Sequence, residues 1–293
     1  MIQHASTAPG SPSVRARCQL LDLAPSGYYA WCRQPRSARA TRDAELVSLL
    51  RAIHAASDAR YGTPRVHREL RAQGVRCGHM RVARLRRSAG LTAVYPRPYR
   101  VTTESRAAVG AANVLAQRFA VAAQPGLNRV WTADFTYLWT GEGWLFLAVV
   151  LDLASRRVVG WALRPRMDGQ LTLAALQMAV QQRRLEPGVP RLHHSERGRQ
   201  YVAAPYLATL RAAGFTSSVS RHGNCYDNAV TESFFASLRK ELLFRRGFAR
   251  RETARHDVIA FIEGWYNTRR RHSALDYRSP RTFEAEVFGE HST

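Results

Sequence analysis

Residues 129–163 read RVWTADFTYLWTGEGWLFLAVVLDLASRRVVGWAL. Three runs rich in β-branched, aromatic and aliphatic residues, at 129–138, 143–153 and 156–163, are separated by short polar turns. That pattern predicts three consecutive strands joined by tight connections. One acid, Asp134, stands mid-run among Trp131, Phe135 and Tyr137. Neighbours of that kind draw a carboxylate into a cleft, where the ordinary alternative is a turn bond at a strand edge. Asp152, at the end of the second run, reads as a turn-forming or structural acid.

Working outward toward the C-terminus, 168–183 carries Leu171, Leu173, Leu176 and Val180 at helical spacing. A short strand over 191–196 ends in Glu196, a helix covers 204–213, and a fifth strand covers 216–220. A further helix carries Glu232 among Val230, Phe234, Phe235, Leu238 and Leu242, with 35 residues between Glu196 and Glu232. Three antiparallel strands followed by strand, helix, strand and helix make an α/β arrangement. Acids on two strands and a helix can converge on one point. Three converging carboxylates are hard oxygen ligands of the sort that suit Mg2+ or Mn2+.

Neighbouring residues are less telling. His193 and His194 have no partner His or Cys at ligand spacing and are expected to shape the strand end. Ser195 lacks a nucleophile-elbow context, and Asp227-Asn228 reads as a helix N-cap. Lys240, eight residues after Glu232, falls near the same helix face and could hold a phosphate, or else pair with Glu241 or Glu232. Arg269, Arg270, Arg271 and His272 follow an aromatic helix at 258–266; they suit contacts to a DNA backbone or, alternatively, a stabilised helix end.

The N-terminal third is helical. Residues 20–32 suggest a short helix around SGYYAWC, followed by a polar linker, RQPRSARATR. From Asp43 onward Leu46, Leu49, Leu50 and Ile53 form one apolar stripe. Thr63-Pro64 reads as an N-cap with proline at the first helical position, opening a helix with Val66 and Leu70 that stops near Gly74. A third helix over 80–89 carries Val82 and Leu85 and also Arg81, Arg84, Arg86 and Arg87. Three short helices with a basic last one read as a helix-turn-helix, with Arg81, Arg84 and Arg87 as DNA contacts; solvation of an exposed face is the alternative. Residues 91–125 form a connector with a possible helix at 111–119.

Composition agrees with a polyanionic partner. The 293 residues carry a formal charge of +22, and residues 1–110 alone hold 19 Arg against 6 acids. Cys18, Cys32, Cys77 and Cys225 show no paired spacing, so neither a zinc site nor a disulfide framework is expected. Residues 1–14 contain no apolar segment of a signal peptide. The longest apolar run, 145–151, is too short to span a bilayer. A cytoplasmic protein without a membrane partner is expected.

Taken together, WTADFTYLWTGEGWLFLAVVLDLASRRVVGWAL, HHSERGRQY, NCYDNAVTESFFASLRKEL and WYNTRRRHSALDYRSP resemble the bacterial insertion-sequence transposases read from the second of two overlapping frames. These belong to the retroviral-integrase superfamily, and the resemblance covers roughly residues 15–285. It implies a ribonuclease-H-like integrase core, a five-stranded mixed sheet with helices, preceded by an all-helical helix-turn-helix region. The expected division is 1–42 tail and short helix, 43–93 helix-turn-helix, 94–125 connector, and 126–288 catalytic core with a helical extension.

The resemblance assigns Asp134, Glu196 and Glu232 to an acidic triad holding two Mg2+ or Mn2+ ions. Where the family pattern reads HSD, this chain reads HSE. The implied reaction is hydrolysis at the element's own inverted-repeat ends, then strand transfer of the released 3′-OH into target DNA. The implied partners are double-stranded DNA, further copies of the chain and a first-frame protein. Two other readings remain: an impaired copy that only occupies DNA ends, and a nuclease acting on RNA–DNA hybrids.

Overall fold

The computed structural model describes residues 13–33, 37–93, 115, 126–220, 228–245 and 247–289. The chain divides into two compact units, Met1–Ala93 and Val94–Thr293. The tail at 1–12, the possible helix at 111–119 (apart from Leu115), Asp227 and Cys225 lie outside the described residues.

The first unit is helical: α1 (Val14–Leu20), α2 (Pro25–Arg33), α3 (Ala38–Ala56), α4 (Thr63–Ala72) and α5 (His79–Ser88). Leu46, Leu50 and Ile53 of α3 pack with Val66 and Leu70 of α4 and Val82 and Leu85 of α5. Leu49, expected in the same stripe, is 38% exposed at its margin.

Two local expectations are corrected. The linker read over RQPRSARATR ends earlier, because Ser37 caps α3 by accepting from the Ala40 amide, so the helix starts at Ala38. Gly62, not Thr63, is the N-cap of α4. The Thr63 hydroxyl instead accepts from Arg86, whose guanidinium also donates to the Tyr61 carbonyl. Arg86 is thereby buried and ties α5 to the entry of α4, and does not face solvent with its basic neighbours. Gly74, at φ +79°, turns the chain out of α4 in the left-handed region that favours glycine.

The second unit is built on a five-stranded sheet in the order β3-β2-β1-β4-β5. Its strands are β1 (Val130–Thr140), β2 (Gly143–Asp152), β3 (Val158–Arg164), β4 (Arg191–Ser195) and β5 (Phe215–Val219). β1, β2 and β3 form an antiparallel meander, while β4 and β5 run parallel to β1. The central position of β1 follows from this, since it alone joins the two halves.

Between β3 and β4 runs α6 (Gly169–Gln182), capped by the Asp168 side chain on the Leu171 amide. Between β4 and β5 runs α7 (Ala204–Ala212). Leu171, Ala175, Leu176 and Ala179 of α6, with Tyr206 and Leu210 of α7, bury Trp131, Ala133, Ala148, Val150 and Val159 on one sheet face. A Cβ on Gly160 of β3 would collide with the Ala175 carbonyl and with Ala179, so only glycine permits this close approach of helix to sheet.

Beyond β5 come α8 (Ala229–Glu241) and α9 (Arg251–Ile259), which continues as π-helical turns over Ala260–Tyr266, and finally α10 (Pro280–Phe288). Asn267 pairs both its amide groups with the Val158 backbone. Glu284 of α10 is 1% exposed and accepts from Arg157 and Arg183, fastening the last helix to the core.

Candidate active site

Strand register builds the acidic site. β1 and β4 run parallel with Ala133 opposite Ser195, so one further step sets Asp134 against Glu196, just past the end of β4. The carboxyl ends of adjacent parallel strands are where open α/β sheets gather ligands. Asp134 is 7% exposed and accepts a 2.7 Å hydrogen bond from the Phe135 amide.

Electrostatics show how near the acids stand to one another. Burial raises the Asp134 carboxyl well above the usual carboxylate range. A hydrogen bond shared with Glu196, the Glu196 charge and the Glu232 charge push it the same way. Glu232, in the first turn of α8, is raised by burial and by Glu196, with Arg239 opposing. Among the described residues no three His, Cys, Asp or Glu side chains close into a ready-made metal cage. The acids are neighbours whose like charges disfavour ionisation of Asp134.

The helix bearing Glu232 is pinned beside Asp134 by residues whose part was not read from sequence. Thr231 donates to Thr132 of β1 at 2.9 Å and lies the same distance from the Asn228 side-chain Oδ1. The Asn228 amide donates to the Ala133 carbonyl at 3.2 Å. Asn228 stands at the N-cap position as expected, but its side chain makes no capping bond to its own helix. Arg197 donates to the Ser220 carbonyl, holding the segment after Glu196 against the end of β5. The spacing of Asn228, Thr231 and Glu232 at a helix start was the available signal, but only tertiary contact reveals what they touch.

Tyr201 is buried beside this cluster, its ring 5.4 Å from that of Tyr206. Burial and then the Asp134 charge keep its hydroxyl protonated. His193 and His194 behave as expected of strand-end residues. His193 meets the Tyr206 hydroxyl at 2.9 Å, and burial lowers its pKa to about 3, so it is neutral. His194 lies between the hydroxyls of Ser218 and Ser220. Asp152 is structural: it accepts from the amides of Asn128, Ala154 and Ser155.

The basic candidates separate into distinct roles. Lys240 is exposed on α8. The proposed pairing of Lys240 with Glu241 is not made, because Glu241 is buried and accepts from Arg270 and from the Trp265 indole. Arg270, 7% exposed in that ion pair, is a core residue, and its expected backbone contact is corrected to the helix-stabilising alternative. Arg271 donates to the Tyr277 carbonyl, and Arg269 is exposed. In the first unit Arg81 and Arg84 both bind Asp43, at 2.5 and 2.6 Å, and Arg87 is exposed.

Comparisons with known proteins agree with this geometry. An integrase core domain matches residues 124–225, a second integrase core domain 213–280, and an HTH-like domain 41–99. The chain is 42% identical over 276 residues to the transposase InsF for insertion sequence IS3A of Escherichia coli strain K12, covering 93% of this chain and 94% of that one. An uncharacterized 31 kDa protein of insertion element IS600 from Shigella sonnei is 40% identical, covering 91% and 96%. Among solved structures, the catalytic core of BIV integrase superposes with a TM-score of 0.41 at 17% identity, covering 55% of this chain and 96% of that one. The HTLV-2 integrase core in complex with magnesium gives 0.40 at 14%, covering 54% and 96%. The integrase core and HTH-like matches, with 42% identity over nearly the whole length of both chains, have one consequence: the chain belongs to the family of insertion-sequence transposases with an integrase catalytic core.

Proposed function

We propose that this transposase cuts the ends of its own element and joins them to target DNA, with Asp134, Glu196 and Glu232 as the carboxylates of a Mg2+ or Mn2+ site. One observation carries the reading: the β1–β4 register sets two acids side by side, and α8 brings a third close enough to raise the pKa of the first. The donor set fits such ions. All three groups are carboxylates, one of them buried, and a group of like charges is relieved by a cation. Two bound ions would supply Lewis acidity at the phosphoryl oxygens and a more acidic water.

The chain's own residues do the remaining work. Asp134 is fixed by the central strand, and Glu232 reaches the same region from a helix start held by Thr132 and Asn228. Lys240 is placed to hold a phosphate further along α8. The reaction class is in-line displacement at phosphorus: water forms a P–O bond as the 3′-oxygen leaves, giving a 5′-phosphate and a free 3′-OH, and that 3′-OH then forms a P–O bond to a target phosphodiester as the target strand's own 3′-oxygen leaves. The unit at 43–93 orients the duplex, with 94–125 as connector and 126–288 as core. Pairing two element ends calls for more than one copy of the chain, and a first-frame protein is the expected companion. No helix among the described residues is long and apolar enough to cross a membrane.

The second reading is an impaired copy, because Glu196 stands where the family pattern has aspartate and carries one methylene more. The deciding experiment incubates the purified chain with a labelled duplex carrying the element's inverted repeat, with Mg2+ and separately with Mn2+. Nicking at the repeat end that yields a 3′-OH supports the transposase reading; end binding without nicking in either metal leaves only the binding protein. A panel with RNA–DNA hybrids tests the remaining alternative.

A further inference from the structure

The first unit contains an open hollow of about 330 Å3 lined by Arg39 and Arg42 of α3 and Arg81 of α5. Arg39 and Arg42, three residues apart, share one helix face, and both are exposed. Asp43 follows Arg39 by four residues and stands where an ordinary ion pair along the helix would form. It instead reaches across to α5, accepting from Arg81 at 2.7 Å and Arg84 at 2.6 Å. Hydrogen bonds from Arg84 and then Arg81 hold the Asp43 carboxyl below the usual carboxylate range.

The single acid at the rim is therefore committed to two guanidinium groups. Arg39 and Arg42 make no ion pair among the described residues. Three guanidinium groups line the concavity, and of these only Arg81 is held by a carboxylate, which leaves a surplus of donors. The planar fork of arginine matches the oxygens of a phosphodiester. A unit this basic, in a transposase, meets that group on duplex DNA.

We propose that this hollow is a seat for a DNA backbone phosphate, with Arg39, Arg42 and Arg81 as its donors and Asp43 as the residue that positions Arg81. The proposal rests on the reading that the first unit holds DNA, and it extends the contact from α5 to the start of α3. Phosphate contacts of this kind fix orientation and carry no sequence information.

The test measures binding of the full chain to an inverted-repeat duplex by fluorescence anisotropy, from about 50 to 200 mM salt. Replacing Arg39 and Arg42 together by Gln should reduce the steepness of log K against log salt by about 1.8, at about 0.9 per lost phosphate contact. At about 0.1 M salt that corresponds to a loss of affinity on the order of 10- to 100-fold. The charge-matched pair Arg71→Gln and Arg76→Gln, exposed residues that do not line the hollow, should leave the slope in place. Asp43→Ala should weaken binding even though it adds net positive charge.

An unchanged slope in the Arg39/Arg42 variant, while the natural chain still binds, overturns the seat alone. An equal loss in the Arg71/Arg76 control also overturns it, since only overall charge would matter. Tighter binding by Asp43→Ala overturns the positioning role. A natural chain that does not bind duplex DNA overturns the DNA-holding reading of the unit and the seat with it.

Discussion

Two groups of acids, each with a buried aspartate on β1 or its neighbour β2, are treated in opposite ways. Asp152 lies across from Trp131 near the start of β1. Its oxygens accept from three backbone amides, and nearby Glu284 accepts from both Arg157 and Arg183. Three residues further along β1 from Trp131, Asp134 has the Phe135 amide and, beyond that, other acids. The first group is neutralised and built in, joining α10 and α6 to the sheet. The second gathers like charges beside one another, an arrangement that does not stabilise the fold and is the basis of the proposed site.

The contrast predicts opposite responses to the same kind of change. Asp134→Asn and Glu232→Gln should each reduce end cleavage by at least about 10^2–10^3-fold, since each removes charge from the site where the reaction develops it. Asp134→Asn should fold at least as stably as the natural chain, because it relieves like-charge repulsion, and end binding should persist in both variants. Parallel loss of binding and cleavage in a gel-shift and nicking pair would mean these acids support the fold instead.

Glu284→Gln should do the reverse. It strands Arg157 and Arg183 beside a neutral group, and breaking a buried pair costs about 3–5 kcal/mol. A fall in Tm of roughly 10 °C is expected for a domain of this size, with cleavage per folded molecule retained. The pH dependence has a definite sign. Burial alone would raise the Glu284 carboxyl, but Arg183 and then Arg157 bring it below its ordinary value of 4.5. A depressed folded-state pKa gives stability that is complete above about pH 4.5 and lost as pH falls through the lower folded value. Acid-induced unfolding followed by circular dichroism should therefore be shallower in Glu284→Gln. An unchanged acid transition would remove Glu284 from the neutralised group.

Glu196→Asp sharpens the comparison within the acidic site. The extra methylene of glutamate carries its carboxylate about 1.5 Å further, and misplacement of about 1 Å can cost around 100-fold in rate. The aspartate variant should nick element ends at least about tenfold faster in Mg2+ without a change in end affinity. Equal rates for the two chains would show that the site has adapted to glutamate. The smallest effect is expected at Lys240, whose replacement by Gln should flatten the salt dependence of end binding by about 0.9, the share of one phosphate contact. An unaltered slope would place Lys240 away from DNA.

How much was legible in the sequence can be judged from particular residues. Apolar runs bounded by polar turns in residues 129–163 and helical spacing in 168–183 were sufficient for the meander and for α6, because local pattern reports which stretches are buried. The sequence motifs also singled out Asp134, Glu196 and Glu232. Local pattern could not reveal the destination of long polar side chains. Arg86, Arg270 and Arg183 look like surface charges in sequence, yet each is buried against a partner 23 to 101 residues away. Asn228 reads as a helix N-cap, whereas its hydrogen bond, like that of Thr231, runs to β1.

The sequence by itself determined the order of the described elements and the family, since these depend on local periodicity and on motifs read in line. The tertiary structure decided that Asp134 meets Glu196 through the β1–β4 register, and that Asp43 turns from its own helix to Arg81 and Arg84. It also decided which arginines serve the core and which remain at the surface. The physical reason is the same in each case: a charged side chain takes its role from the partner that desolvates or neutralises it, and that partner is brought close by folding from far along the chain.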